Sequence, residues 1–426
     1  MRTVATEAST VTSGSTNRRR KRFRVAVVNS HPIQYFAPLY ADLNRDPALE
    51  VTALYCSDFS LRGGLDPGFA RPVTWDVDLL QGYPYVFVGR DNDRGAPSGF
   101  WSLTCPRIWS AIRRGQYDAV WLHGYNYAAT VLAFAAAKSK RLPVLMRSET
   151  HLGLTRPIWR RRARDMVLKV FYRSFDAFLA IGSANRTYYR TLGVPERRIF
   201  NMPYAVDNAR FIATANAAAT RRDEIRRRYG LPLDQPVVLY ASKLLRRKHP
   251  ELVVRAVAAL RTAGHRVSLF MVGSGEMDQE VRDLAGACDE RSIVFAGFIN
   301  QRELPQVYAA CDIFALPAEN EPWGLIVNEV MCAALPVVIT DQVGCAGDLV
   351  KNGVNGYLVP PGDVRALTNA ISRLLVDEGT RKQMGTASRS LISRWSYEQC
   401  REGIKAALEV VAQPSDKRIG LIRAWR

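Results

Sequence analysis

Two glutamates eight positions apart, Glu321 and Glu329, stand in the stretch AENEPWGLIVNEVMCAALP, residues 318–336. A Pro-Trp-Gly turn lies between them, and an apolar helix pattern begins at Leu325. The turn predicts a helix start near Gly324. Glu321 then lies in the loop facing the helix N-terminus, and Glu329 inside the second turn. The first free backbone N–H groups, around Leu325 and Ile326, point outward with the positive end of the helix dipole. Such an end receives a phosphate. A carboxylate on each side accepts hydrogen bonds from sugar hydroxyls. A phosphate flanked by polyols describes a nucleotide diphosphate sugar. The same pair also fits an ordinary surface helix, because acidic residues favour first turns. Spacing alone leaves both readings open.

Cations stand upstream. Lys243 and Lys248 follow the strand-like run PVVLYAS (236–242), with Arg246 and Arg247 between them. A lysine at a strand exit reaches a diphosphate as a point charge, where arginine would add a bidentate fork. On spacing alone, ordinary surface lysines are the better reading. Of five histidines, His31, His123 and His151 close or follow strand-like runs in the first half of the chain; His249 and His265 lie in the second. Strand exits are the side on which open α/β sheets bind ligands. The five show no metal-binding spacing. Asp76-Val77-Asp78 spells the Asp-x-Asp of metal-dependent transferases of another fold. A three-letter match in a loop-rich stretch is chance, and no metal is expected.

Alternating strands and helices must position these groups. FRVAVVN (23–29) reads as a buried strand, followed by a helix pattern from about Ile33 to Asn44 and the strand LEVTALYC (49–56). Residues 57–107 are rich in Gly, Pro and aromatics and read as loop. The alternation resumes with DAVWLHG (118–124), an Ala-rich helix to Lys140, PVLMRSE (143–149) and AFLAIGS (177–183). A second series begins at PVVLYAS, with helices over 250–263 and 277–288 around VSLFMVG (267–273). Repeated strand–helix units predict parallel sheets covered on both faces. The boundary, near 205–235, is Ala- and Arg-rich and helical in pattern. Two such lobes place the natural site in the cleft between them.

The segment around the paired glutamates resembles the family-4 retaining glycosyltransferases (glycosyl transferase group 1), which have the GT-B fold. The family pattern is Glu, a Pro-Phe-Gly-like turn, an apolar run and a second Glu. It continues here through PVVIT (336–340), VGCAGD (343–348) and GVNGYLVPPGD (353–363). Upstream, SKLLRRK (242–248), FMVGSGEM (270–277) and FAGFINQRELPQVYAACDIFALP (295–317) match in order. The resemblance is strong over about 178–400 and weaker before. Lys243 stands where the family usually has Arg, Trp323 where it has Phe, and Asp348 where it has Glu; Cys345 and Ala346 replace the usual neighbours of that acid. No Gly-rich loop follows the first strand, where many relatives use one to hold the diphosphate or the acceptor.

The resemblance implies an α/β GT-B architecture: two Rossmann-like lobes, an inter-lobe cleft and a C-terminal crossover helix. The implied division is a basic tail (1–22), an acceptor-side lobe (23–205), a nucleotide-sugar lobe (206–393), and a helix returning to the first lobe with its tail (394–426). The implied catalytic group is Glu321, Lys248, Lys243 and His123. Donor binding falls to Glu329, Trp323, Gly324, Leu325, Ile326 and Gly273. Relatives carry a first-lobe histidine that touches the donor sugar, a role open to His123 or His151; His31 is a further donor-sugar or acceptor contact. The implied reaction is metal-independent, retaining, hexosyl-type transfer. The co-substrate is a UDP- or GDP-sugar, and the acceptor is a hydroxyl of a glycan, a lipid-linked molecule or a small molecule. The architecture also hosts phosphorylases and sugar-nucleotide epimerases. An epimerase is therefore the alternative enzyme, and a non-catalytic membrane-surface binding protein the alternative outside enzymes.

Composition fits two globular domains: 426 residues, 47% hydrophobic. Seven dispersed cysteines without a Cys-x-x-Cys pair predict reduced thiols in the cytoplasm. No apolar run approaches the ~20 residues that span a bilayer. Residues 1–22 end in Arg18-Arg19-Arg20-Lys21-Arg22 with no apolar stretch behind, so they read as a disordered basic tail rather than a secretory signal. The formal charge of +19 calls for an anionic partner. No nucleic-acid-binding motif is present, and no nucleic acid is expected. RPIWRRRARDMVLKVFYR (156–173) sets arginines beside Trp159, Val167, Phe171 and Tyr172. On a helix these give a cationic face next to an apolar one, suited to the surface of an anionic membrane on its inner side or to packing on the protein's own domain.

Overall fold

The computed structural model describes residues 22–89, 96–151, 158–288 and 292–411, and of 158–163 the backbone alone. The chain forms two parallel sheets. The first has seven strands in the spatial order Tyr85–Phe87, Leu49–Tyr55, Phe23–Asn29, Ala119–His123, Val144–Arg147, Ala177–Ala180, Ile199–Asn201. The second has six, in the order Ile293–Gly297, Ser268–Val272, Val237–Ala241, Ile313–Leu316, Val337–Thr340, Gly356–Val359. Every pairing in both is parallel. The central strands are apolar throughout because helices cover both faces: Val25 to Val28 and Val237 to Tyr240 are fully buried.

Each sheet reverses its strand order once. In the first the reversal lies between Phe23–Asn29 and Ala119–His123, in the second between Val237–Ala241 and Ile313–Leu316. A crevice opens beyond the strand ends at such a point. The Ala- and Arg-rich boundary forms two helices, Asn208–Ala219 and Arg222–Tyr229. The second carries Asp223 and Glu224 in its first turn and arginines in its last, and ends on Gly230 in the left-handed region at φ 70°. The last helix, Tyr397–Val411, packs on the strands Ala177–Ala180 and Ile199–Asn201 of the first sheet. Ion pairs from Arg401 to Asp42 (3.0 Å) and Lys405 to Asp46 (2.7 Å) fasten it there.

Two expectations change. The helix after the first strand runs Ala37–Leu43. Residues 33–36 form a preceding turn, with Ala37 N donating to the Ile33 carbonyl, and Pro38 occupies the first helical turn. The stretch 57–107 is not wholly loop. Leu65–Asp66 pairs with Arg71–Pro72 in a small antiparallel hairpin, and Tyr85–Phe87 adds an edge strand to the first sheet. The basic tail as far as residue 21 and the side chains of Arg160, Arg161 and Arg162 lie outside the described residues.

Candidate functional site

A cavity of about 450 Å³ lies between the carboxyl ends of the two sheets. The second lobe contributes Lys243, Lys248, Gly273, Phe298, Glu321, Glu329 and the run Trp323–Ile326. The first contributes His31, Gln34, Tyr35, Asp66, Phe69, Trp75 and Glu149, with Tyr204 from the crossing between lobes.

Glu321 sits at the mouth of the helix Leu325–Cys332. Gly324 precedes that helix in the left-handed region at φ 87°, and a Cβ there would come 2.8 Å from Val343 Cγ1, so glycine fits both the torsion and the space. Glu321 is 9% exposed. Lys248 Nζ and Arg247 Nη1 (2.7 Å) both donate to its Oε2. Lys248, itself 7% exposed, reaches it from the short 3-10 turn Arg246–Lys248. Burial alone would push the Glu321 carboxyl up. The Lys248 and Arg247 charges outweigh that and hold it below the usual carboxylate range, as an anion.

Glu329 lies one turn deeper and is 1% exposed. Tyr308 donates to its Oε2 at 2.6 Å, while Oε1 is buried with no hydrogen-bond partner. Burial pushes this carboxyl up, opposed by Tyr308, Tyr35 and Arg210. The two glutamates of one motif are thus driven apart in proton affinity. Asn328, which sequence reasoning passed over, fixes the helix: it accepts from Trp323 Nε1 at 2.9 Å and donates to the Tyr204 carbonyl at 2.9 Å. The Trp323 ring packs on Tyr204 and Trp395.

Lys243 Nζ pairs with the Asp66 carboxylate at 2.8 and 3.0 Å and lies 4.4 Å from the Phe69 ring centre. Asp66 and Phe69 belong to a segment of the first lobe that crosses to the second. Ser274 Oγ donates to the Phe69 carbonyl at 2.9 Å, Asn300 Nδ2 to the Thr74 carbonyl at 2.8 Å, and Phe69 meets Phe298 edge to face. The Asp76 carboxylate accepts from the Arg302 backbone N–H at 3.2 Å, and Asp78 from Leu80 N–H at 2.9 Å. Among the described residues no three His, Cys, Asp or Glu side chains come together as metal ligands would. Gly273, at φ 136°, lets the chain pass Ser242, whose carbonyl oxygen a Cβ would meet at 1.9 Å.

The histidines separate. His31 lines the cavity; burial lowers its pKa to about 4 against the pull of Asp66, so it is neutral near pH 7. His123 closes the strand Ala119–His123 and keeps part of its surface exposed. Its Nε2 meets the Tyr40 hydroxyl at 2.9 Å, its ring packs 4.3 Å from Phe36 and 4.8 Å from Trp121, and burial holds it well below its usual pKa. His151 stands outside the lining, with Nε2 3.3 Å from the Glu321 carbonyl oxygen. The cavity lining thus brings Glu321, Lys248, Lys243, Glu329, Gly273, Trp323–Ile326 and His31 together, while His123 stands partly exposed at the carboxyl end of the strand Ala119–His123 and His151 lies against the Glu321 backbone. Asp66, Phe298, Tyr204 and Glu149 are cavity residues that the sequence motifs did not single out.

The family model described as glycosyl transferases group 1 matches residues 221–391, and that described as glycosyl transferase 4-like domain matches 34–205. A D-inositol 3-phosphate glycosyltransferase of Xylanimonas cellulosilytica is 32% identical over 234 residues, 54% of this chain and 54% of that protein. An alpha-D-kanosaminyltransferase of Streptomyces kanamyceticus is 29% identical over 196 residues, 46% of this chain and 50% of its own length. The chain thus spans about half the length of these curated relatives. Among solved structures, Anabaena HepE in complex with UDP and glucose superposes with a TM-score of 0.66 at 18% identity, covering 91% of this chain and all of the other. Sucrose-phosphate synthase of Thermosynechococcus elongatus gives 0.64 at 19%, over 90% and 98%. These likenesses show the fold, the two-lobed GT-B architecture.

Proposed function

Because the chain belongs to the group 1 glycosyltransferases, we propose that it moves a sugar, with retention, from a UDP- or GDP-sugar to an acceptor hydroxyl. The observation that carries this reading is the buried Glu321–Lys248 pair at the open end of the helix Leu325–Cys332, inside a cavity between two parallel sheets. The diphosphate sits against Lys248, Lys243 and Arg247 and the N–H groups of Leu325 and Ile326. Glu329 takes ribose hydroxyls, for which its unpartnered Oε1 is suited. Glu321 takes hydroxyls of the transferred sugar and offsets positive charge at its anomeric carbon.

In the transfer the bond from the anomeric carbon to the diphosphate oxygen breaks and its electron pair leaves with the diphosphate. The acceptor oxygen bonds to that carbon on the same face, and its proton passes to a diphosphate oxygen. The cations and helix N–H groups are stronger partners for the departing diphosphate, whose terminal phosphate gains a negative charge as the bond breaks, than for the bound donor, which is how they would lower the barrier.

We further propose that the protein works at the inner surface of an anionic membrane. The helix Ile158–Tyr172 exposes Met166 (68%), Val167 (66%) and Val170 (63%), in a stretch that also carries Lys169 and Arg173. No helix among the described residues is long and apolar enough to cross a bilayer.

The test is a thermal-shift screen of UDP- and GDP-sugars followed by NMR of the product. A glycoside with the donor's anomeric configuration supports the reading. A product still attached to its nucleotide replaces it with an epimerase. Donor binding without turnover leaves a binding protein.

A further inference from the structure

The two walls of the cavity differ in chemistry. The second lobe presents cations and helix N–H groups, the partners of phosphate. The first presents Glu149, Gln34, Tyr35 and the neutral His31 opposite them, partners of hydroxyl groups. Glu149 stands two residues beyond the strand Val144–Arg147, at a carboxyl end that faces the cavity. It has open surface there, although protein walls the site at longer range. The Tyr204 hydroxyl donates to its Oε1 at 2.6 Å and fixes the carboxyl group in place. Tyr204 is itself held: its carbonyl accepts from Asn328, and its ring packs on Trp323, so Glu149 is referenced to the same helix that carries Glu329.

We propose that Glu149 is the acceptor-binding carboxylate: it takes a hydrogen bond from a hydroxyl neighbouring the attacking one, and so selects vicinal polyols as acceptors. With one oxygen satisfied by Tyr204, the other meets the polyol. The adjacent acceptor hydroxyl is then turned toward the diphosphate, which receives its proton. The protein walls around the site raise the Glu149 carboxyl by desolvation, with the Glu321 charge adding to the rise and Tyr204 and Arg147 opposing it. Glu149 and Glu321 line the same cavity from opposite lobes. Tyr204 acts as a positioning residue through Glu149.

This inference rests on the transferase reading and is tested with the full chain. The donor selected by the screen is supplied with water alone, then with glycerol, methyl α-D-mannopyranoside or myo-inositol. Release of nucleoside diphosphate and formation of glycoside are followed separately. Glu149→Gln, an isosteric change, is expected to keep the wild-type melting temperature, donor affinity within twofold and hydrolysis in water alone. Polyol transfer should fall at least tenfold, chiefly through a raised acceptor KM. Tyr204→Phe should show a smaller acceptor KM increase, and Glu149→Asp should recover part of the loss. Unchanged polyol transfer in an active Glu149→Gln variant overturns the role of Glu149, and a tenfold loss of donor affinity moves it to the donor. A wild type that hydrolyses donor but accepts none of the polyols overturns the acceptor class. A wild type inert toward every donor overturns the transferase reading itself.

Discussion

Asp66 and Lys243, 177 residues apart in sequence, form an ion pair at 2.8 Å that bridges the two lobes inside the cavity. The pair occupies the ammonium group that a diphosphate would use. On the proposed reading, donor binding exchanges one anion for another at Lys243. Both side chains keep some solvent contact, 33% for Lys243 and 23% for Asp66, so the pair is worth about 1 kcal/mol or less. Asp66→Asn removes the competitor and a negative charge beside the diphosphate. The variant is expected to bind UDP or GDP roughly three- to tenfold more tightly, with the gain shrinking as salt is added. Lys243→Ala should weaken the same binding. Calorimetric titration reads both; equal affinity in wild type and Asp66→Asn would show that the diphosphate does not reach Lys243.

Glu321 is expected to matter more for turnover than for folding. It already holds two cations in a confined space, and Glu321→Gln keeps its shape while releasing them from its charge. Turnover should fall at least about tenfold, a barrier change of roughly 1.4 kcal/mol. Wild-type kinetics in this variant would remove Glu321 from the reaction.

Glu329 gives a pH signature. Its carboxyl is raised by burial, so the fold favours the neutral form. Such a group contributes stability below its unfolded pKa of ~4.3 and loses it as pH rises through the folded value. Glu329→Gln mimics the neutral form at every pH. It is expected to melt above wild type at pH 7 to 8 and to converge with it below pH 4, while binding nucleotide more weakly. Scanning calorimetry at both pH values, with a nucleotide titration, checks the pair of effects; a lower melting point at pH 8 would contradict the assigned direction.

The paired glutamates were legible because their geometry is local. A turn, a glycine in the left-handed region and an apolar run set Glu321 and Glu329 on one helix mouth whatever surrounds them. The central strands were legible for the same reason, as β-branched apolar runs. The edge strand Tyr85–Phe87 was not: three half-exposed residues after Pro84 carry no period, and only pairing with Ala53–Tyr55 makes them a strand. Asp66 and Glu149 escaped because their partners are far off in sequence, Lys243 and Tyr204. The histidines show the limit most sharply. His31, His123 and His151 stand alike at or beyond strand exits, and only packing decides that His123 rests on Phe36, Tyr40 and Trp121, His151 on the Glu321 backbone, and His31 in the cavity lining.

Transfer is expected to continue in millimolar chelator. Asp76 is engaged by the Arg302 backbone and Asp78 by Leu80, and the cavity carries Lys243, Arg247 and Lys248, which on the proposed reading would meet the diphosphate. The assay is nucleoside diphosphate release with and without EDTA. Loss of activity restored by magnesium or manganese would return Asp76 and Asp78 to consideration as metal ligands.

The last expectation concerns the helix Ile158–Tyr172. Three neighbouring apolar residues, Met166, Val167 and Val170, lie open to solvent in a stretch rich in Lys and Arg. Each cation near an anionic surface contributes about 1 kcal/mol, screened over ~8 Å at physiological salt. Sedimentation with phosphatidylserine-containing vesicles should therefore show binding that falls steeply with salt. Replacing Arg160, Arg161 and Arg162 with Ser should weaken it and leave donor affinity unchanged. Val167→Ser with Val170→Ser should weaken the part that survives high salt, because apolar insertion is not screened. Separate losses of this kind identify two components of one membrane contact. No vesicle binding at low salt would make the arginines a solvated face and point to an acceptor in solution.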